Sequence, residues 1–253
     1  MQLARTRTLG LALAAVLALP ALADAQPLPT AKQVIDRYIE AVGGRQALAN
    51  RQFRHTVAEM DMPSAGMRMT IETFQARPNR LFVKSEIPGM GAMAYGFDGT
   101  VAWMNNPMQG PSLTEGKELE QRQREADFDS SINYEKYFPT METVERTEMG
   151  GRACYKLRLV TAGGDEIFQC FDVENGLLVG STAKQASQMG EIEVVTLFTD
   201  YQDHGGLKLP MKMTSTMMGQ QMNVTMKSVS FEPFDPSVFE LPAEIRALKQ
   251  PRN

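Results

Sequence analysis

The chain has 253 residues, 43% of them hydrophobic and 22% charged, which is enough apolar mass for one large or two small domains with a sizeable core. Its formal net charge of −4 gives no electrostatic case for binding nucleic acid. Beyond the N-terminus, no stretch approaches the roughly 20 consecutive apolar residues of a membrane-spanning helix.

Arg5 and Arg7 precede an apolar run from Leu9 to Leu22, and Ala21-Leu22-Ala23 or Ala23-Asp24-Ala25 supplies a small-x-small cleavage site. These are the marks of a secretory signal peptide. Residues 1–25 are therefore expected to be removed, leaving residues 26–253 as a single exported, periplasmic domain with no transmembrane segment. Losing the two arginines and no acid moves the net charge to about −6. No cysteine stands immediately after the cleavage site, as expected of a soluble rather than a lipid-anchored product. Cys154 and Cys170 are the only thiols; they flank a hairpin turn, and both a cross-strand disulfide and a pair of buried thiols fit that placement.

Thr30 reads as a helix N-cap, followed by Val34, Ile35, Tyr38, Ile39 and Val42 at helical spacing and by Gly43-Gly44 as the stop. A second short turn spans Gln46 to Asn50. Five strands then follow: Phe53–Met62, Gly66–Ala76, Arg80–Ile87, Ala92–Phe97 and Val101–Met104. Their breaks at Pro63–Gly66, Arg77-Pro78-Asn79, Pro88–Gly91 and Asp98-Gly99 are too short for parallel crossovers, so neighbouring strands run antiparallel. Thr114 to Phe128 is highly charged and reads as a helix, and Ser130 to Phe138 as another, both with few apolar anchors. Seven more strands complete the pattern: Glu142–Met149, Arg152–Val160, Glu166–Asp172, Leu177–Gln185, Glu191–Tyr201, Leu207–Thr216 and Gln220–Phe231. Asp235 to Phe239 closes with a tight turn. The pattern predicts an α+β fold with about eleven or twelve antiparallel strands in one strongly curved sheet, wrapped around helices too modest to fill its concave face.

Methionine is concentrated in these strands. Met60 and Met62 alternate with Glu59 and Asp61; Met67, Met69 and Ile71 continue the apolar row on the returning strand; Met211 and Met213, then Met222, Val224 and Met226, repeat the pattern near the far end. An unbranched thioether adapts its shape where a surface must accept varied apolar partners. The same pairs are of the kind that holds Cu(I) in an export compartment, whereas strand spacing alone also aims them at a core.

Catalytic readings fail. The two histidines, His55 and His204, lie far apart in the chain, and no His-Glu-x-x-His, Gly-x-Ser-x-Gly or Cys-x-x-Cys occurs. His204 reads as a solvated loop residue and His55 as an exposed or hydrogen-bonded one. Gly110 to Glu118 has the wrong spacing for a phosphate-binding loop, and Glu125, Asp127 and Asp129 read as a charged helix end rather than a catalytic carboxylate pair.

The opening Val34-Ile35-Asp36-Arg37-Tyr38-Ile39-Glu40-Ala41-Val42-Gly43-Gly44 is one of four stretches that carry a resemblance. The others are Gly96-Phe97-Asp98-Gly99-Thr100-Val101-Ala102-Trp103, Asn175-Gly176-Leu177-Leu178-Val179, and Asp200-Tyr201 followed by Leu207-Lys208-Leu209-Pro210. In this order they resemble bacterial exported proteins grouped with outer-membrane lipoprotein-sorting proteins, in the superfamily of the LolA, LolB and LppX carriers. The likeness runs from about Thr30 to Leu241. It implies an unclosed antiparallel β-barrel with helices covering its concave face, and a hydrophobic cavity that holds acyl chains without chemistry or cofactor.

The expected partners are thus acyl chains of a lipid or lipoprotein. The expected cavity walls are Met60, Met62, Met67, Met69, Ile71, Trp103, Met211, Met213, Met222, Val224 and Met226, with Leu119, Phe128 and Tyr137 on the helical flap. The alternatives are an envelope-assembly module that binds a protein partner at its rim, and a Cu(I)-binding protein.

Overall fold

The computed structural model describes residues 27–249 except 88, 90, 188 and 189. The signal peptide expected at residues 1–25 and part of the turn at Pro88–Gly91 lie outside the described residues. The chain begins with α1 (Ala31–Ala41), whose N-terminus is closed by a reciprocal capping box: the Thr30 hydroxyl accepts from the Gln33 amide and the Gln33 side chain accepts from the Thr30 amide. Val34, Ile35, Tyr38 and Ile39 form its buried stripe. Gly43, at φ 121°, turns the chain into α2 (Gly44–Ala49); a Cβ there would meet the Gly206 carbonyl oxygen at 2.0 Å, so only glycine permits this close crossing.

Thirteen strands follow: β1 (Phe53–Met62), β2 (Met67–Ala76), β3 (Arg80–Ile87), β4 (Gly91–Phe97), β5 (Ala102–Asn106), β6 (Gly110–Leu113), β7 (Thr140–Met149), β8 (Arg152–Val160), β9 (Glu166–Asp172), β10 (Leu178–Ser187), β11 (Gly190–Asp203), β12 (Lys208–Met217) and β13 (Gln220–Ser230). Between β6 and β7 lie α3 (Gly116–Ala126) and the single turn α4 (Tyr134–Tyr137), and α5 (Ala243–Leu248) follows β13. The strands form one antiparallel sheet in the order β6-β5-β4-β3-β2-β1-β13-β12-β11-β10-β9-β8-β7. It is open, with β6 and β7 at its edges, and consists of two meanders joined by a seam between the first strand and the last. That seam runs from His55 opposite Ser230 to Asp61 opposite Asn223, with one bulge at Val57/Ala58.

The strand β6 is absent from the sequence expectation. It is four residues long and contains Pro111, which suits an edge where one side of the backbone needs no partner. The α5 helix is also additional, and the expected helix over Ser130–Phe138 contracts to the four residues of α4.

The sheet has two differently covered faces. On one, α1, α2 and the α3–α4 region bury Leu157 and Leu159 of β8, Phe171 of β9 and Leu178 of β10 against Tyr38, Ile39, Phe128, Tyr134 and Phe138. Toward the other edge of the same face, Leu119 and Ala126 of α3 meet Leu81, Val83, Phe97 and Ala102. The opposite face is strapped by the C-terminal segment: Phe234 and Phe239 pack on Phe53, Phe74 and Phe82.

Candidate functional site

Directly opposed residues of an antiparallel pair share a face, and that face alternates along each strand. Register therefore decides where the methionine rows point. Phe198 of β11 lies opposite Met213 of β12, Met213 opposite Val224 of β13, Val224 opposite Met60 of β1, and Met60 opposite Met69 of β2. A parallel line on one side contains Met62 opposite Met67 and Ser215 opposite Met222; on the other, Ala58 lies opposite both Ile71 and Met226. Phe198 belongs to the core under α1, and Ile71 to the core under α3. The whole lattice consequently sits on the helix-bearing face, between its two helix-covered flanks, and straddles the seam.

Composition changes across this face with coverage. Where helices lie on it, the buried strand residues are Leu157, Leu159, Phe171 and Leu178 on one flank and Leu81, Val83, Phe97 and Ala102 on the other. Between the flanks they are Met60, Met62, Met67, Met69, Met213, Met222 and Met226, all half-buried, with Met211 buried at the lower end. Branched and aromatic residues pack a fixed core, while thioethers suit a surface whose partner is absent or variable.

Trp103 does not join them. On β5 it pairs with Gly96 and stacks on Phe82, which places it on the tail-bearing face, where it is 3% exposed. A Cβ at position 96 would lie 2.7 Å from the Leu81 carbonyl oxygen and 3.1 Å from the indole nitrogen, so the glycine makes room for that ring. The flap residues are nearer the lattice's own face. Leu119 is half-buried against the β3–β5 core, Phe128 is fully buried under the guanidiniums of Arg54 and Arg77, and Tyr137 lies beside the core at Met141.

The acids read as a charged helix end instead fasten the α3–α4 connection. Asp127 is 6% exposed and accepts from Lys136 at 2.5 Å, from the Tyr137 hydroxyl and from the Asp129 amide at 2.9 Å. Burial pushes its carboxyl upward, but these donors outweigh it and hold the group below its ordinary value. Asp129 takes a two-pronged ion pair from Arg77, which also donates to the Leu48 and Arg51 carbonyls. What this cluster can do is clamp α2, β2 and the helical connection together. Arg54, half-buried over the Phe128 ring, donates twice to the neutral Gln75 oxygen, and burial draws it down to about 10.

The histidines separate. His55 is on the tail-bearing face, stacked on Phe74 and 2.8 Å from Glu72, which also pairs with Lys84. His204, read as a solvated loop residue, is half-buried with its Nε2 3.2 Å from the Met211 sulfur. Cys154 and Cys170 are joined in a disulfide across β8 and β9 on the tail-bearing side, with Cα atoms 5.4 Å apart. Among the described residues no group of three His, Cys, Asp or Glu converges as a metal site. Two of the chain's clefts lie on opposite faces of the sheet, the first beside the helices and the second on the charged face across from the methionines. One, of about 300 Å³, lies beside α1 and α4 and is lined by Lys32, Asp36, Arg45, Tyr134 and Lys136; a shallower one, of about 610 Å³, carries Glu59, Arg68, Glu72 and Lys84 with Met69 at its margin.

No family profile matches the chain, and no curated protein is similar to it in sequence. Solved structures are. A DUF1329 family protein from Desulfovibrio piger superposes with a TM-score of 0.58 at 10% identity, over 83% of this chain and 97% of that one. A LolA superfamily protein from Nitrosomonas europaea gives 0.57 at 12% identity, over 85% and 99%. The fold is LolA-like. A domain classed with the outer membrane lipoprotein-sorting proteins of Vibrio parahaemolyticus gives 0.54 at 11% identity, over 82% and 97%. The LolA-like fold expected from the four sequence stretches is thus present as one open antiparallel sheet, with thirteen strands among the described residues against an expected eleven or twelve. Among the described residues no helix is long and apolar enough to cross a membrane.

Proposed function

We propose that this chain is an exported, periplasmic carrier that shields acyl chains of a lipid or lipoprotein on the methionine lattice, without catalysis. The observation that carries the reading is the change from leucine and phenylalanine under the helices to seven half-buried methionines between them. In this reading the sheet curls so that its helix-bearing face is concave, and residues 26–253 act as one domain after removal of residues 1–25. The walls are Met60, Met62, Met67, Met69, Ile71, Met213, Met222, Val224 and Met226. Met211 forms the floor, and Leu119 of α3 the margin of a cover that moves aside. The LolA-like fold supports this reading as an architecture. Each buried methylene contributes about 0.8 kcal/mol, so one long chain supplies about 10 kcal/mol with little polar recognition.

Mass spectrometry on protein purified from its own envelope tests the proposal: co-purifying lipid or lipidated peptide is expected. Placing a carboxylate in the lattice with Met62→Glu should abolish that retention while the fold persists. Retention at the native level in this variant, or a protein partner in place of lipid, would refute the wall assignment or the carrier role respectively.

A further inference from the structure

The lattice is also where the chain's reactive sulfur is concentrated. The two cysteines are bonded to each other and the single tryptophan is 3% exposed, so the usual competitors for a two-electron oxidant are closed. The thioethers of β1, β2, β12 and β13 fall on one face, whereas the alternating positions carry Glu59, Asp61, Arg68, Thr70, Lys212, Thr214, Asn223 and Thr225. Met60 faces Met69 and Met62 faces Met67 directly, so one reagent entering the face meets several sulfurs at once.

We infer that this face is a reversible oxidation site, modified by an oxidant of the hypohalous acid class, whose modification releases or refuses the acyl chain. The inference rests on the carrier reading above. In the step, a thioether sulfur donates an electron pair to hypochlorous acid and ends with its oxygen as a sulfoxide, while chloride and a proton leave; sulfur is oxidised by two electrons and chlorine reduced by two. A methionine sulfoxide reductase reverses it, the oxygen leaving as water as two thiols become a disulfide. A sulfoxide is a strong acceptor, and the side chains opposite Met60, Met62, Met67 and Met69 are thioethers and Val224, none of them a donor, so covering it with hydrocarbon costs its hydration.

The test uses the full processed chain and dansyl-undecanoic acid as the fluorescent probe. After graded hypochlorous acid, peptide mapping should find one added oxygen on each of Met60, Met62, Met67 and Met69, and probe affinity should fall roughly tenfold for each sulfoxide the chain must cover. Reductase should restore both, and circular dichroism should stay that of the intact sheet throughout. In a combined Met60→Leu, Met62→Leu, Met67→Leu and Met69→Leu variant, the fold-loss of probe affinity on oxidation should be smaller than in the parent, each measured against its own untreated affinity, and an equal loss overturns the inference. Undiminished binding by oxidised native protein overturns the inference while leaving the carrier reading intact, as does oxidation confined to the exposed Met108 and Met218. Failure of the untreated protein to take up probe removes the carrier reading and the switch with it. Loss of the sheet's signal on oxidation overturns the switch as a surface device.

Discussion

Asp127 shows how a single side chain holds the helical connection in place. Its carboxylate is buried yet satisfied by an ammonium, a phenol and an amide, and its affinity for protons is lowered in the folded state. A group with that sign stabilises the fold fully above its ordinary value of 3.8, and the contribution is lost as pH falls through the lowered folded value. Asp127→Asn should therefore cost about 1–3 kcal/mol at neutral pH. Urea melts at decreasing pH should find the gap between variant and parent closing in strong acid; a gap independent of pH would exclude the ionic origin. In the sequence Tyr137 reads as a flap residue and Lys136 as an ordinary charged neighbour, because nothing in a charged stretch tells which carboxylate folds inward. In the sequence, therefore, the acids read as a helix end.

At the scale of elements, the strand pattern was readable because turns and alternation coincide: β1, β3, β8 and β9 have the bounds expected from their residues. Weak elements were not. The four residues of β6 carry a glycine, a proline and a serine, and α5 has six residues, both below the length at which periodicity speaks. The methionine rows were legible as sharing faces strand by strand, but only cross-strand register shows that they share the same one. Trp103 lies across the sheet from the methionine rows, a side that the sequence does not reveal for a single aromatic on a short strand with no alternating partners. The bond between Cys154 and Cys170 settles an alternative that spacing left open. It closes a loop with a sequence separation of 16 and ties β8 to β9 at one flank of the sheet. Its reduction, or Cys154→Ser with Cys170→Ser, should lower unfolding free energy by about 3 kcal/mol by the loop-closure argument. Guanidinium melts of the reduced and oxidised protein measure the difference, and equal midpoints would contradict it.

For the whole molecule, the two faces divide labour: one is sealed over β1–β3 by the C-terminal strap, the other is left partly uncovered between helices. The sole tryptophan lies on the sealed side, so an acyl chain on the lattice should leave its emission unchanged. Brominated fatty acid added to the purified protein provides the measurement; strong quenching of Trp103 would put the hydrocarbon on the wrong side of the sheet. The seam has a further consequence. Half of the lattice comes from β1 and β2, made early, and half from β12 and β13, made last, and their pairing spans nearly the whole described chain. Contacts so distant in sequence form late, after each meander has ordered on its own strands. A partly synthesised or clipped polypeptide owns only half of the methionine face. If that face takes up hydrocarbon as proposed, loading is reserved for molecules that have finished folding, with no separate inspection step required.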